Sequence, residues 1–225
     1  MKVEVKERIL GKNDAIAERL RSVFAENGIF VVNLLSSPGA GKTTLLESTL
    51  KALSETFRIG VIEGDLFTSK DAERIHAAGV PVYQINTVGG CHLDANMVAE
   101  AVTHFDLAAL DLIIIENVGN LVCPAEFDIG ETVKVVLLSV TEGEDKPLKY
   151  PLVFKESAAV VLTKTDLLPY LPFDKATAVA DIRSLNPSIR VLEASSLTGE
   201  GLSDWTCWLT DEIRRRIEAR EEISE

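Results

Sequence analysis

The residues best equipped for chemistry begin at Ser36-Ser37-Pro38-Gly39-Ala40-Gly41-Lys42-Thr43-Thr44, which follow a short apolar run and precede a helical pattern. This is a phosphate-binding loop. Its glycines let the backbone N–H groups of Gly39, Ala40, Gly41, Lys42, Thr43 and Thr44 converge on phosphate oxygens, and the helix that follows adds its dipole at the same spot. Lys42 is expected to reach the β- and γ-phosphates, and Thr43 to offer its hydroxyl to Mg²⁺. Ser36 stands where the common pattern has glycine, a departure that leaves the Gly-Lys-Thr end intact.

Two acids close apolar runs. Asp65 ends Ile59-Gly60-Val61-Ile62-Glu63-Gly64-Asp65, and Glu116 ends Leu112-Ile113-Ile114-Ile115-Glu116. Mg²⁺ takes one or two carboxylates beside phosphate oxygens and water, so this pair suffices as its protein ligands. Lys42, Asp65 and Glu116 are accordingly the residues expected to act at the reacting phosphate. Gly119, three residues past Glu116, has the spacing of an Asp-x-x-Gly element with Glu in place of Asp. Its backbone N–H is placed to sense a γ-phosphate and to release the following loop after hydrolysis.

A nucleobase site is expected from Thr163-Lys164-Thr165-Asp166 together with Glu193-Ala194-Ser195-Ser196-Leu197, each after a short apolar run. The Asp166 carboxylate can accept hydrogen bonds from N1–H and the 2-amino group of guanine. Adenine lacks those donors and would leave the acceptors unpaired. Lys164 would lay its stem over the base, with Ser195 and Ser196 beside it. Thr163 occupies the place of the usual Asn, and its hydroxyl can keep part of that residue's brace to the phosphate loop.

Cys91 and His92 follow Gly89-Gly90, and Cys123 lies four residues past Gly119. Thiolate and imidazole are ligands that Ni²⁺ and Zn²⁺ both accept, and the ligand types do not choose between them. Three ligands fall short of a closed tetrahedral site, and a symmetric dimer joining two such clusters would supply the rest. Cys207, in Trp205-Thr206-Cys207-Trp208, is expected in the core.

The elements that must position these residues alternate. An amphipathic helix is expected over residues 13–27, with Asn13 or Asp14 as its N-cap and Gly28 past its end. Residues 29–35, apolar apart from Asn33, read as a buried central strand. Helical or strand-like segments then follow at 43–54, 58–63, 70–78, 80–85, 94–105, 112–117, 133–140, 159–163, from about 173, 190–193 and 202–220. Such alternation predicts an α/β fold, a mostly parallel central sheet with helices on both faces, in which ligands collect at the carboxyl ends of the strands. The polar segment 141–150, with Lys146 and Lys149, is expected to be a solvated loop.

The 225 residues, 46% of them hydrophobic, carry no Pro/Gly/Ser-rich linker, so one domain is expected. A formal charge of −12 argues against nucleic acid or an anionic membrane as partner. No apolar run approaches the roughly 20 residues needed to cross a bilayer, and the start is polar, so a cytoplasmic protein is expected. Three cysteines are too few for a disulfide framework in a chain of this size.

Taken together, Ser36 to Thr44, Glu63-Gly64-Asp65, Gly90-Cys91-His92-Leu93-Asp94, Glu116-Asn117-Val118-Gly119-Asn120-Leu121-Val122-Cys123-Pro124 and Lys164-Thr165-Asp166 resemble HypB, the hydrogenase nickel-incorporation GTPase family. That resemblance implies a P-loop GTPase fold of the SIMIBI type and GTP-dependent dimers. It also implies metal carried by Cys91, His92 and Cys123, and nickel handed to a hydrogenase large-subunit precursor with a partner chaperone. Many members carry an additional N-terminal Cys-x-x-Cys-type site or histidine-rich tract. With three histidines and no cysteine before Cys91, neither is expected here, nor nickel storage. No residue stands out as a base for water, which predicts slow intrinsic GTP hydrolysis accelerated by a partner or by dimerisation. The rival readings are a urease-type nickel GTPase, which carries Cys-Pro-His where Cys91 is followed directly by His92, an ATP-dependent small-molecule kinase, which Asp166 opposes, and a metal sensor with a vestigial nucleotide site.

Overall fold

The computed structural model describes residues 2–65 and 74–224. Among the described residues the sheet has seven strands: β1 (Phe30–Ser36), β2 (Ile59–Asp65), β3 (Val82–Asn86), β4 (Leu112–Glu116), β5 (Val133–Ser139), β6 (Ser157–Thr163) and β7 (Arg190–Ala194). All adjacent pairs are parallel, in the order β3-β2-β4-β1-β5-β6-β7. Its α-helices include α1 (Lys2–Glu26), α2 (Lys42–Leu53), α3 (Ala95–Val102), α4 (Cys123–Glu126), α5 (Lys146–Lys149), α6 (Pro151–Glu156), α7 (Lys175–Leu185) and α8 (Leu202–Ser224).

The central strands are apolar at consecutive positions because both faces are covered. Phe30, Val32 and Leu34 of β1, Leu112 and Ile114 of β4 and Val135 and Leu137 of β5 point into one core, shared with Leu45, Leu46 and Leu50 of α2 and Trp205, Leu209 and Ile213 of α8. The alternate residues turn to the other face: Val31, Ile113 and Ile115 against α1 and α3, and Val136, Leu138, Val160 and Leu162 against α6 and α7. Each such aliphatic side chain contributes about 1.5–3 kcal/mol when fully buried. The Trp205 indole N–H donates to Thr49 Oγ1 (2.8 Å), fastening α8 to α2.

Three expectations need correction. The first helix starts at Lys2, not near residue 13, so Asn13 is an interior residue and not an N-cap. Its amide is buried and bridges two other segments, donating to Asp128 O (2.7 Å) and accepting from Ala95 N (2.8 Å). Cys207 is exposed. Trp205, Leu209 and Ile213 face inward at four-residue spacing, and Cys207 stands halfway round the helix from them. The segment 141–150 holds the one-turn helix α5, with Pro147 buried, and is not wholly a solvated loop. The helix expected over 70–78 falls in part on residues outside those described.

Candidate phosphate, base and thiol–imidazole sites on one edge of the sheet

Every residue singled out for chemistry leaves the carboxyl end of a strand, and strand order sets their sequence in space. The segments after β6 and β7 supply the base residues, β1 the phosphate loop, and β4 and β2 the acids. The segments after β3 and β4 supply the thiols and imidazole. Strands lie about 4.8 Å apart, so β1 and β3, separated by three steps, put phosphate and thiol loops roughly 14 Å apart at their roots.

A cavity of about 500 Å³ at this edge is lined by residues of the phosphate loop (Gly39, Gly41, Lys42, Thr43, Thr44), by Glu63, Asp65 and Glu116, and by Asn117, Gly119 and Lys164. Gly41 holds the left-handed conformation at the start of α2 (φ 98°), where a side chain would strain the turn. Lys42 Nζ donates to Ser36 Oγ (2.8 Å), so the serine that departs from the usual glycine serves as partner to the loop lysine. Thr43 Oγ1 donates to Glu116 Oε1 (2.8 Å). One hydroxyl and the carboxylates of Asp65 and Glu116 facing a phosphate-sized cavity form a hard, all-oxygen donor set, which fits Mg²⁺. Glu63 and Arg74 also line this cavity, and no role was expected for either from the sequence. Glu63 is register partner to Glu116 on the next strand, a pairing only the sheet order creates. Arg74 is held by Glu47 (2.6 Å) and lies 3.5 Å from Thr44 Oγ1.

A smaller adjoining cavity, about 280 Å³, is lined by Ala40, Gly41, Thr44, Thr163, Lys164, Asp166, Leu167, Ser196 and Leu197. Ser195 is fully buried and donates to Asp166 Oδ1 (2.5 Å), which aims the carboxylate. Thr163 Oγ1 donates to Ala40 O (2.7 Å) and Lys164 Nζ to Gly39 O (2.7 Å), so two consecutive residues tie the base strand to the phosphate loop.

Cys91, His92 and Cys123 come together with their ligand atoms within 4.8 Å of one another. The turn before Cys91 is strained, since Val88 is β-branched yet adopts φ 50°; such a conformation costs on the order of 1–3 kcal/mol and collects at functional sites. Asn120 Nδ2 donates to Cys91 O (3.2 Å), and the His92 ring rests against Phe127 at 4.0 Å between centroids. The Cys123 thiol, followed by partial burial, pushes the Cys91 thiol above its usual range. Burial holds His92 below the usual imidazole range despite Asp94 and Glu126 nearby. That favours the neutral ring, the form that binds a metal ion.

The two sites touch. A Cβ built on Gly119 would lie 3.0 Å from Pro38 Cα and 3.1 Å from Pro38 N, so the segment leading to Cys123 rests on the backbone of the phosphate loop. A groove of about 820 Å³ at the amino ends of β5 and β6 is larger, but Arg21 and Lys134 there are already paired with Asp128 and Glu131.

A parallel sheet with a phosphate loop after its central strand and acids closing the neighbouring strands defines a P-loop nucleotide-binding protein, and residues 30–193 match the family model of the CobW/HypB/UreG nucleotide-binding domain. The chain is 52% identical over 207 residues to the hydrogenase maturation factor HypB of Escherichia coli (strain K12), covering 92% of this chain and 71% of that protein. The crystal structure of HypB from Helicobacter pylori in complex with nickel superposes with a TM-score of 0.87 at 38% identity, covering 92% of this chain and 97% of that one. The signal recognition particle receptor FtsY from Elizabethkingia anophelis shares the SIMIBI fold alone, with a TM-score of 0.55 at 18% identity, covering 85% of this chain and 68% of that one. This chain belongs to the HypB family of hydrogenase maturation factors.

Proposed function

We propose that this protein hydrolyses GTP and uses the nucleotide state to hold and release nickel destined for a [NiFe]-hydrogenase precursor. The observation that carries the reading is the contact of Gly119 with Pro38, four residues from Cys123 in the thiol–imidazole cluster. Phosphate-loop geometry and ligand geometry are parts of one packed unit. On this reading a change in one is transmitted to the other.

In this reading the backbone of residues 39–44 and Lys42 hold the phosphates, and Asp166, aimed by Ser195, selects guanine over adenine. Thr43, Asp65 and Glu116 would hold Mg²⁺, whose charge offsets that developing on the phosphate oxygens. The nickel bound to the Helicobacter pylori relative supports Ni²⁺ as cargo, with Zn²⁺ acceptable to the same donors. Two thiolates and one imidazole leave coordination positions open, which a second copy of the chain, brought up in the GTP state, would fill or shield. A chaperone that supplies the metal and a large-subunit precursor that receives it complete the cycle, in the cytoplasm. The family and the direct Cys91-His92 pair support the hydrogenase over the urease branch, and the guanine-selecting carboxylate opposes the ATP-dependent kinase.

The test is a nickel titration of the protein loaded with GDP or with a non-hydrolysable GTP analogue and Mg²⁺. The two affinities are expected to differ, and Cys123→Ser to weaken nickel binding while GDP binding persists. Equal affinities in the two states would remove the switch and leave a guanine-nucleotide hydrolase with an unrelated metal site. Lys42→Ala separates this reading from a metal sensor, which would lose nothing by it.

A further inference from the structure

Asn33 is a polar residue in the middle of the apolar run 29–35 of the central strand, and the phosphate, base and metal assignments leave it unexplained. It is fully buried, as is Asn117, the residue that follows Glu116. Asn117 Oδ1 accepts from Leu93 N (3.1 Å) and from Val118 N (2.9 Å). Both donors are backbone N–H groups, which cannot exchange roles, so the amide orientation is fixed by its partners. Asn117 Nδ2 must then face Asn33, donating to Oδ1 (3.2 Å), and Asn33 Nδ2 donates to Glu131 Oε1 (3.3 Å). The other carboxylate oxygen of Glu131 accepts from Ile129 N (2.7 Å).

We infer that Asn117 is the positioning residue that transmits the state of the phosphate site to the Cys91-His92 loop. The inference rests on the nickel reading above and names its joint. One side chain ties the segment carrying Cys123 to the segment carrying Cys91 and His92, bonding the amide of Leu93 directly after His92. Its own backbone continues from Glu116, which holds Thr43 at the start of α2, and its N–H donates to Leu34 O of β1 (3.1 Å). Any shift of residues 116–119 when the γ-phosphate arrives or leaves therefore pulls on both ligand-bearing loops together. Asn13 holds the same loop two residues on, through Ala95 N, but hangs from α1 and Asp128. It anchors the loop from a part of the molecule that does not touch the phosphate cavity.

The two anchors make the inference separable from a merely structural role. Nickel affinity is measured by chelator competition in the GDP state and in the GTP-analogue state with Mg²⁺, for the unmodified protein, Asn117→Ser and Asn13→Ser. The unmodified protein is expected to show an affinity ratio between states of at least about fivefold, the low end of ordinary allosteric coupling. Asn117→Ser, too short to reach Leu93 N, should bring that ratio to within about twofold of one, whereas Asn13→Ser should keep it even where both affinities fall. Coupling retained in Asn117→Ser, or lost equally in Asn13→Ser, overturns the inference while leaving the nickel switch standing. A ratio of one in the unmodified protein overturns both. Because Asn117→Ser can fail to fold, amide hydrogen exchange at Leu93 is followed in the unmodified protein. Its protection should differ between the two nucleotide states, and equal protection refutes the inference without any variant.

Discussion

Replacing Thr163 by valine tests the tie between the base strand and the phosphate loop with little other disturbance. Valine keeps the β-branched shape that suits the end of β6 and removes only the hydroxyl. In the structure that hydroxyl donates to Ala40 O at 2.7 Å, and both residues are buried, at 5% and 1% exposure. Thr163→Val sets a methyl group against the carbonyl, which then lacks a buried donor; such an orphaned group costs about 1–3 kcal/mol. Ala40 also borders the base cavity, through which water can reach the loop, so the lower half of that range is expected, about 1–2 kcal/mol. For a chain of this size that loss corresponds to a fall of roughly 2–8 °C in Tm. The bond exists before nucleotide arrives and nothing in the nucleotide competes for it. The loss should therefore appear equally in empty and GDP-bound protein, with GDP affinity changing less than about threefold, under 0.7 kcal/mol. Urea unfolding with and without GDP, and titration of a fluescent guanine nucleotide, measure both quantities. Unchanged stability would show that the hydroxyl does not brace the loop. Weakened GDP binding at unchanged stability would show that it contacts the nucleotide instead.

Two further substitutions probe the joint and the periphery. Gly119 is not among the positive-φ residues, so Gly119→Ala acts by contact alone: its Cβ would press on the Pro38 backbone, which cannot yield as a side chain does. A cost of about 1–3 kcal/mol is expected, shown as lost discrimination between GTP analogue and GDP in nucleotide titrations; retained discrimination would mean that the contact carries no signal. Asp111 accepts from Arg58 through both oxygens (Nη2 2.6 Å, Nε 3.0 Å), and Arg58 holds its carboxyl below the usual range. A depressed folded-state pKa stabilises above the unfolded value and is lost as pH falls through the folded one. Asp111→Asn should therefore lower stability at neutral pH by about 0.5–1 kcal/mol, discounted because Arg58 is largely solvated, and the difference should shrink as pH falls below the usual aspartate range, where the carboxyl takes up its proton. A penalty in urea unfolding that stays constant with pH would contradict the ion-pair account.

Much of the molecule is legible along the chain because it is local. The phosphate loop needs a buried strand, two glycines and a helix start in succession, and residues 29–54 spell that out. Asp65, Glu116, Cys91, His92 and Asp166 each stand at or just past the end of a strand, and parallel strands share one carboxyl edge, so the expectation that they meet there needs no knowledge of strand order. What only the tertiary structure decided is which residues from distant segments become neighbours. Asn33 reaches Asn117 and Glu131 across separations of 84 and 98 residues, and Glu63 meets Glu116 because β2 lies beside β4. The exposure of Cys207 depends on which face of α8 docks against α2, and the role of Asn13 on where α3 begins. Periodicity and turn chemistry report a residue's own element. A buried polar side chain takes its meaning from the partner that satisfies it, and that partner is chosen by packing.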